Sequence, residues 1–292
     1  MPSVADLRLP ASPLADPLSY PGHSIDGNYL WLDTWLYDLH LGGDSVGAAL
    51  DDRTGPGRWR VGVDGGPLTS AGTTAGTAGT GLDDALAQLG ASAPADRHPV
   101  LAFGSNGSPA QLQAKFASLD RAHRVVPVLR GSIDGLALSH SPHVSPAGYV
   151  PWVLVRSDRS TALRVFVLWL DDVQLEVLNR TEPNYTLSVV EGYPVTVESG
   201  VTVPRYRAYR GNWGALRWNP GTEPVAAATQ RQVFEMLCRA PWFARLVGEG
   251  GPAAVVGRLC NDPELRRRVR DELAARGFAV DDGLGAAEMT RP

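Results

Sequence analysis

Between residues 99 and 210 one β-like segment follows another with only two helical interruptions, and no other feature of the sequence limits the fold as tightly. PVLAF (99–103), VVPVLRG (125–131), DGLALSH (134–140), YVPWVLVRS (149–157), ALRVFVLWL (162–170), YTLSVVE (185–191), YPVTVES (193–199) and PRYRAYR (204–210) are short and mostly rich in β-branched or aromatic residues. A parallel doubly wound sheet needs a helical crossover after nearly every strand. The helical stretches AQLQAKFASL (110–119) and DDVQLEVLNRTE (171–182) are too few for that. The pattern therefore predicts a curled, largely antiparallel or mixed sheet in an α+β fold.

The flanks read differently. Residues 1–22 are proline-rich and aperiodic, which predicts an extended or disordered arm. NYLWLDTWLYDLHL (28–41) sets Leu30, Trp31, Trp35 and Leu39 roughly on one stripe and predicts a helix. RWRVGVDG (58–65) alternates like a strand, and the Gly/Thr/Ala tract 67–81 resembles a flexible linker. Asp83 is expected to cap a short helix that Gly90 ends. Beyond Trp218 the composition turns helical, first over 224–248 and then over 262–277, where Asp262 caps, Pro263 takes the first helical position and Gly277 terminates. The expected division is an N-terminal extension (1–97), a central domain (98–218) and a C-terminal helical extension (219–292) packed on the core.

Composition excludes some partners. A chain of 292 residues, 43% hydrophobic, can bury a sizeable core. Its net charge of -4, with both signs interspersed, offers no broad basic surface for nucleic acid. Cys238 and Cys260 are too few for a disulfide framework and have no metal-ligand spacing, so reduced thiols are expected. The amino terminus lacks a basic start followed by an apolar run, and the apolar stretch 29–41 is short and interrupted by charges. These features predict a cytoplasmic protein that does not enter a membrane. Of 27 basic residues, Lys115 is the only lysine, a bias read here as nucleotide composition of the gene.

Two segments carry chemistry. In HPVLAFGSNGSP a strand runs into a turn of small residues, where backbone N–H groups at the start of the next helix can meet an anion or oxyanion. Gly104 and Gly107 are expected to supply conformational freedom, and Ser105 and Asn106 side-chain donors. In the second segment Leu175 and Leu178 pack inward, Asp171 and Asp172 open a helix, and Pro183 stops it after Glu182. A carboxylate at a helix C-terminus opposes the dipole, which hints at a purpose other than helix stability.

Together the two segments resemble the gamma-glutamylcyclotransferase-like family, which carries Tyr-Gly-Ser-Asn-Leu after its first strand and a helix ending in an acidic residue before a tyrosine-bearing strand. The matching residues are Phe103, Gly104, Ser105, Asn106, Glu182 and Tyr185, with Phe103 in place of the motif tyrosine and Gly107 in place of its leucine. The resemblance spans about residues 98–210. It implies a mixed β-barrel core and a loop, Phe103 to Asn106 with Tyr185, that holds a glutamyl group. It further implies Glu182 as acid/base and release of an amine from a gamma-glutamyl compound by cyclisation to 5-oxoproline, without metal or organic cofactor. Partial burial is expected to tune Glu182 for that role. Glu191, which is followed by glycine, is the rival carboxylate.

Two alternatives stay open. One is a non-catalytic small-molecule-binding or scaffold protein of the same fold. The other is a serine hydrolase using Ser105, although Phe103 stands where the nucleophile elbow needs glycine. His140 and His143 are expected to be solvated loop residues, because the proline between them breaks metal-ligand spacing.

Overall fold

The computed structural model describes residues 12–41, 59–62, 80–158, 161–197, 200–285 and 288–290. A hairpin of β1 (Tyr29–Leu32) and β2 (Trp35–Leu41) precedes β3 (Trp59–Val61), β4 (Thr80–Gly81) and α1 (Leu82–Gln88). β5 (His98–Ala102) leads through a single 3-10 turn into α2 (Pro109–Phe116). β6 (Val125–Ile133), β7 (Leu136–His140), β8 (Trp152–Arg156) and β9 (Leu163–Leu170) then run up to α3 (Asp172–Thr181). β10 (Tyr185–Val190), β11 (Val195–Val197), β12 (Thr202–Val203), β13 (Tyr206–Gly211) and β14 (Ala215–Leu216) follow. The chain continues through α4 (Gln230–Cys238), α5 (Pro241–Val247), α6 (Pro252–Asn261) and α7 (Pro263–Ala275) to the short strands β15 (Ala279–Val280) and β16 (Met289–Thr290).

The fold is α+β. Its main sheet has 12 strands in the order β16-β10-β13-β5-β9-β6-β1-β2-β3-β4, with β11 on β6 and β12 on β11. Every pairing is antiparallel except β5 with β13. The two ends of this order do not meet, so among the described residues the sheet is open and the expected barrel does not close. β7 and β8 pair apart from it as a two-stranded ribbon. The long strand β6 shares one edge between β1, at Val125–Val128, and β11, at Gly131–Ser132.

Both faces of the main sheet are covered. Along β9, Val165, Val167 and Trp169 enter a core that also takes Leu82, Ala85 and Leu86 of α1. Phe166, Leu168 and Leu170 point the other way and meet Leu112 and Phe116 of α2 and Leu175 and Leu178 of α3. A third core, with Val233, Phe234, Phe243, Leu259, Val269 and Leu273, lies among α4–α7.

This two-sided burial explains the main correction to the sequence reading. Residues 28–41 form the hairpin, not a helix, with register Tyr29↔Asp38 to Leu32↔Trp35. Leu30 and Leu32 serve one core and Tyr29 and Trp31 the other, so a buried strand presents an unbroken apolar run whose period of two is invisible. Other differences are local. Asp83 lies inside the first turn of α1, and Gly81 occupies the cap position with no side-chain bond. The 224–248 stretch holds two helices, because Ala240 before Pro241 is extended (ψ 116°). Helix α6 was not foreseen. Residues 12–22 of the arm are ordered, whereas most of the 67–81 tract lies outside the described residues. No helix among the described residues is long and apolar enough to cross a membrane.

Candidate functional site

Strand and helix lengths bring the two chemical segments together. β9 runs antiparallel to β5 with His98 opposite Leu170, so α3 begins at the N-terminal end of β5. The ten residues of α3 rise about 15 Å, nearly the span of about 17 Å for the five residues of β5. The helix therefore delivers Glu182, its C-terminal capping residue, to the turn that follows β5. Because β10 is antiparallel to β13, and β13 parallel to β5, Tyr185 at the start of β10 comes to the same end.

Both ends of α3 are pinned. At its start Asp171 and Gln174 form a reciprocal capping box. The buried Arg97 donates to Val125 O, Trp169 O and Gln174 Oε1. Burial pushes Arg97 down to about 10, partly offset by Asp171. Near its end the Tyr209 hydroxyl donates to Asn179 Oδ1 across 2.8 Å.

At the turn, Asn106 Nδ2 donates to Glu182 Oε1 at 3.1 Å, and Lys115 Nζ donates to the same oxygen at 2.7 Å and to Asn106 Oδ1 at 2.8 Å. Lys115 is 5% and Glu182 16% exposed at the side chain, so the pair is largely removed from water. Oε2 of Glu182 accepts no hydrogen bond among the described residues. The backbone N–H groups of Ser105 and Asn106, the first in their 3-10 turn, also find no acceptor among the described residues, as expected for the leading donors of a helical turn.

These groups line a cavity of about 220 Å³ that takes in Phe103, Gly104, Ser105, Asn106, Glu182 and Tyr185. Tyr20, His143, Tyr149, Trp152 and Tyr209 complete much of its wall. Gly104 and Gly107 do not have left-handed backbone, contrary to the conformational role expected of them. They are small because space is short: a Cβ on Gly104 would stand 2.6 Å from the Tyr20 hydroxyl, and one on Gly107 2.9 Å from the Phe166 ring.

No family model matches the chain, and no curated protein or solved structure matches it. The chemistry of the cavity therefore stands on its own geometry. The Tyr185 hydroxyl donates to Trp152 O at 3.0 Å. The Tyr20 hydroxyl accepts from Trp152 N at 2.9 Å. Burial pushes the Tyr20 and Tyr185 phenols well up, and raises Tyr149 to about 12, with the charge of Glu182 adding to each. All three stay protonated at neutral pH and serve as hydrogen-bonding groups, not bases.

The rival carboxylate lies elsewhere. Glu191 is 61% exposed at the side chain, is paired with Arg205, and is not part of the cavity wall. Among the described residues no histidine bonds to Ser105. His143 lines the cavity, yet its Nδ1 sits 2.6 Å from Ser141 Oγ. His140 and His143 are both buried, which corrects the expectation of solvated loop residues. Among the described residues no three His, Cys, Asp or Glu side chains gather as metal ligands.

Lys115 is the residue joined to both Asn106 and Glu182 that the sequence reading did not single out. Its signal was present: every other basic residue among the 27 is arginine, so composition alone does not account for a lysine at the site. The shorter, point-like ammonium reaches two oxygens, of Asn106 and Glu182, where a planar guanidinium would need a wider space. Tyr20 gave no comparable signal, since it lies in the aperiodic arm, and Tyr149 stands out only as the first residue of the strand-like segment 149–157.

Proposed function

We propose that this cavity releases an amine from a gamma-glutamyl compound by closing the glutamyl group to 5-oxoproline, in the manner of the gamma-glutamylcyclotransferase-like family. The observation that carries the reading is the convergence of Glu182 on Asn106 of the Gly-Ser-Asn turn, within one small cavity. The substrate brings its own nucleophile, the α-amine, five ring atoms from closure, so holding it folded exploits intramolecular proximity. The N–H groups of Ser105 and Asn106, which have no acceptor among the described residues, are the donors this reading assigns to the charge that builds on the γ-carbonyl oxygen.

Proton accounting defines the role of Glu182. The α-nitrogen enters as an ammonium with three protons and leaves as a lactam N–H with one. The departing nitrogen gains the other two and leaves as an ammonium, as the bond from the γ-carbon to that nitrogen breaks. Glu182 carries these protons one at a time: the first before attack, the second from the tetrahedral adduct. Lys115 and Asn106 hold Oε1, which leaves Oε2 to exchange them.

A second reading, a non-catalytic small-molecule binder, is favoured by one observation: Lys115 already engages the carboxylate that would have to carry protons. One experiment separates the two. Purified protein is incubated with a panel of gamma-glutamyl amides, 5-oxoproline is followed by mass spectrometry, and affinity is measured in parallel by calorimetry. Product supports the cyclotransferase reading, and binding without product supports the second.

A further inference from the structure

Glu182 is the only formally charged side chain that the described residues give the cavity wall, and it lies beside the turn. Away from them the lining is mostly apolar and aromatic, with Ser145 and the buried, neutral His143 as its polar members. Tyr20 stacks on Tyr149 with ring centroids 4.3 Å apart and planes at 20°, and meets Trp152 edge-on at 5.6 Å. Pro146, Ala147 and Leu14 extend this surface.

Leu14 belongs to the segment before β1, which is strapped across the site. Ser12 Oγ bonds to Gln111 of α2, Leu18 packs on the core of α4–α7, and the Tyr20 hydroxyl is tied to Trp152 N. Held from both sides, Leu14 still shows 51% of its surface. Of the three large hydrophobic residues exposed among the described ones, Leu14 is the most exposed and alone lines the cavity.

Resting on the cyclotransferase reading, we infer that the amine half of the substrate is an uncharged apolar or aromatic amine, seated against Leu14, Tyr20, Tyr149 and Trp152. An amino acid in that place would bring a carboxylate against a wall that holds no cation among the described residues, Lys115 being already committed to Glu182 and Asn106, a desolvation cost without compensation. The apolar amine instead covers Leu14 and lies against the aromatic stack. The N-terminal strap thereby sets specificity, and the Gly-Ser-Asn turn with Glu182 handles the glutamyl end.

Three conjugates test this: gamma-glutamyl benzylamide, gamma-glutamyl ethylamide and gamma-glutamyl phenylalanine, which keeps the phenyl ring and adds a carboxylate. kcat/KM is read from 5-oxoproline and affinity from calorimetry, for the wild type and for Leu14→Ser. The benzylamide should exceed each of the other two by about 10-fold or more, and Leu14→Ser should cut its advantage over the ethylamide by about 10-fold. Leu14→Ala, expected to act in the same direction, guards against a folding defect specific to serine. Equal or better use of the phenylalanine conjugate, or an advantage that survives both Leu14 variants, overturns the inference while leaving the cyclotransferase reading intact. Absence of 5-oxoproline from all three overturns that reading instead, and the calorimetric ratios then decide the inference alone. Absence of binding as well overturns both.

Discussion

Lys115 Nζ lies 2.7 Å from Glu182 Oε1, an ion pair formed between the last turn of α2 and the C-terminal end of α3. Two helices that touch the same face of the sheet are thus locked together at the point where the turn opens into the cavity.

Breaking this pair from one side should cost more than removing it. Lys115→Met leaves Glu182 charged with its partner gone, and should lower stability by about 3 kcal/mol, the range for stranding one member of a buried pair. Lys115→Met combined with Glu182→Gln should recover at least 1 kcal/mol of that loss. Urea denaturation midpoints of the wild type, both single variants and the double variant measure the coupling, and strict additivity would refute it.

The sharpest kinetic test is Glu182→Gln. It keeps size and an oxygen for Asn106 and Lys115 but cannot take a proton, so turnover should fall roughly 10²–10⁴-fold, the range for losing one general base. Affinity for the amide should largely survive. Glu191→Gln, at the exposed Arg205 pair, should leave kcat within about two-fold, as substitutions far from the reacting groups generally do. Losses reversed between the two variants would move the acid/base to Glu191 and dismiss the cavity described above.

Gly104 and Tyr20 should be coupled. Gly104→Ala drives a methyl group to within 2.6 Å of the Tyr20 hydroxyl, an overpacking expected to cost about 1–3 kcal/mol. Tyr20→Phe removes that oxygen and leaves the nearest ring carbon at an ordinary 3.5 Å, at the cost of the bond from Trp152 N, about 1 kcal/mol. The double variant should therefore be less destabilised than the sum of the two by about 1 kcal/mol or more. Thermal denaturation of the four proteins decides the matter.

Acid should weaken the fold through two histidines. Burial pushes His140 down to about 4 and His143 to about 3, the latter helped by the charge of Arg270. Neutral His140 has both ring nitrogens engaged, Nδ1 with Val150 O and Nε2 accepting from Ala228 N. The unfolded chain, with histidine near 6.5, binds more protons than the native state below that pH, so stability is complete above about 6.5 and falls as pH drops toward 4 and 3. The loss should reach about 3 kcal/mol for each histidine by pH 4. Melting curves between pH 7 and 4 should show uptake of about two protons on unfolding, and about one in His143→Asn. A flat profile over that range contradicts this account.

Much of the central region was legible because its signals are local. The strand at 99–102 with its turn, the helix opened by Asp171 and ended at Glu182, and the α7 cap at Asp262 each rest on residues a few positions apart. What failed depended on distant partners. The 29–41 hairpin reads as a helix until both faces of the sheet are known to be covered, and Gly104 gains its reason only when Tyr20, 84 positions earlier in the numbering, is placed against it. The open sheet was equally out of reach, since closure depends on which edges pair and not on strand composition.

The pairing of β1 with β6 bears on how divisible this chain is. A fragment trimmed to residues 98–210 would lose the strand that covers Val125–Val128 and expose a bare apolar edge, the kind that recruits other chains. It would also lose Tyr20, and with it one wall of the cavity. The stretch that bears the chemistry is thus not a portable module: any transplant or shortened version has to carry the hairpin and the strap that precede it.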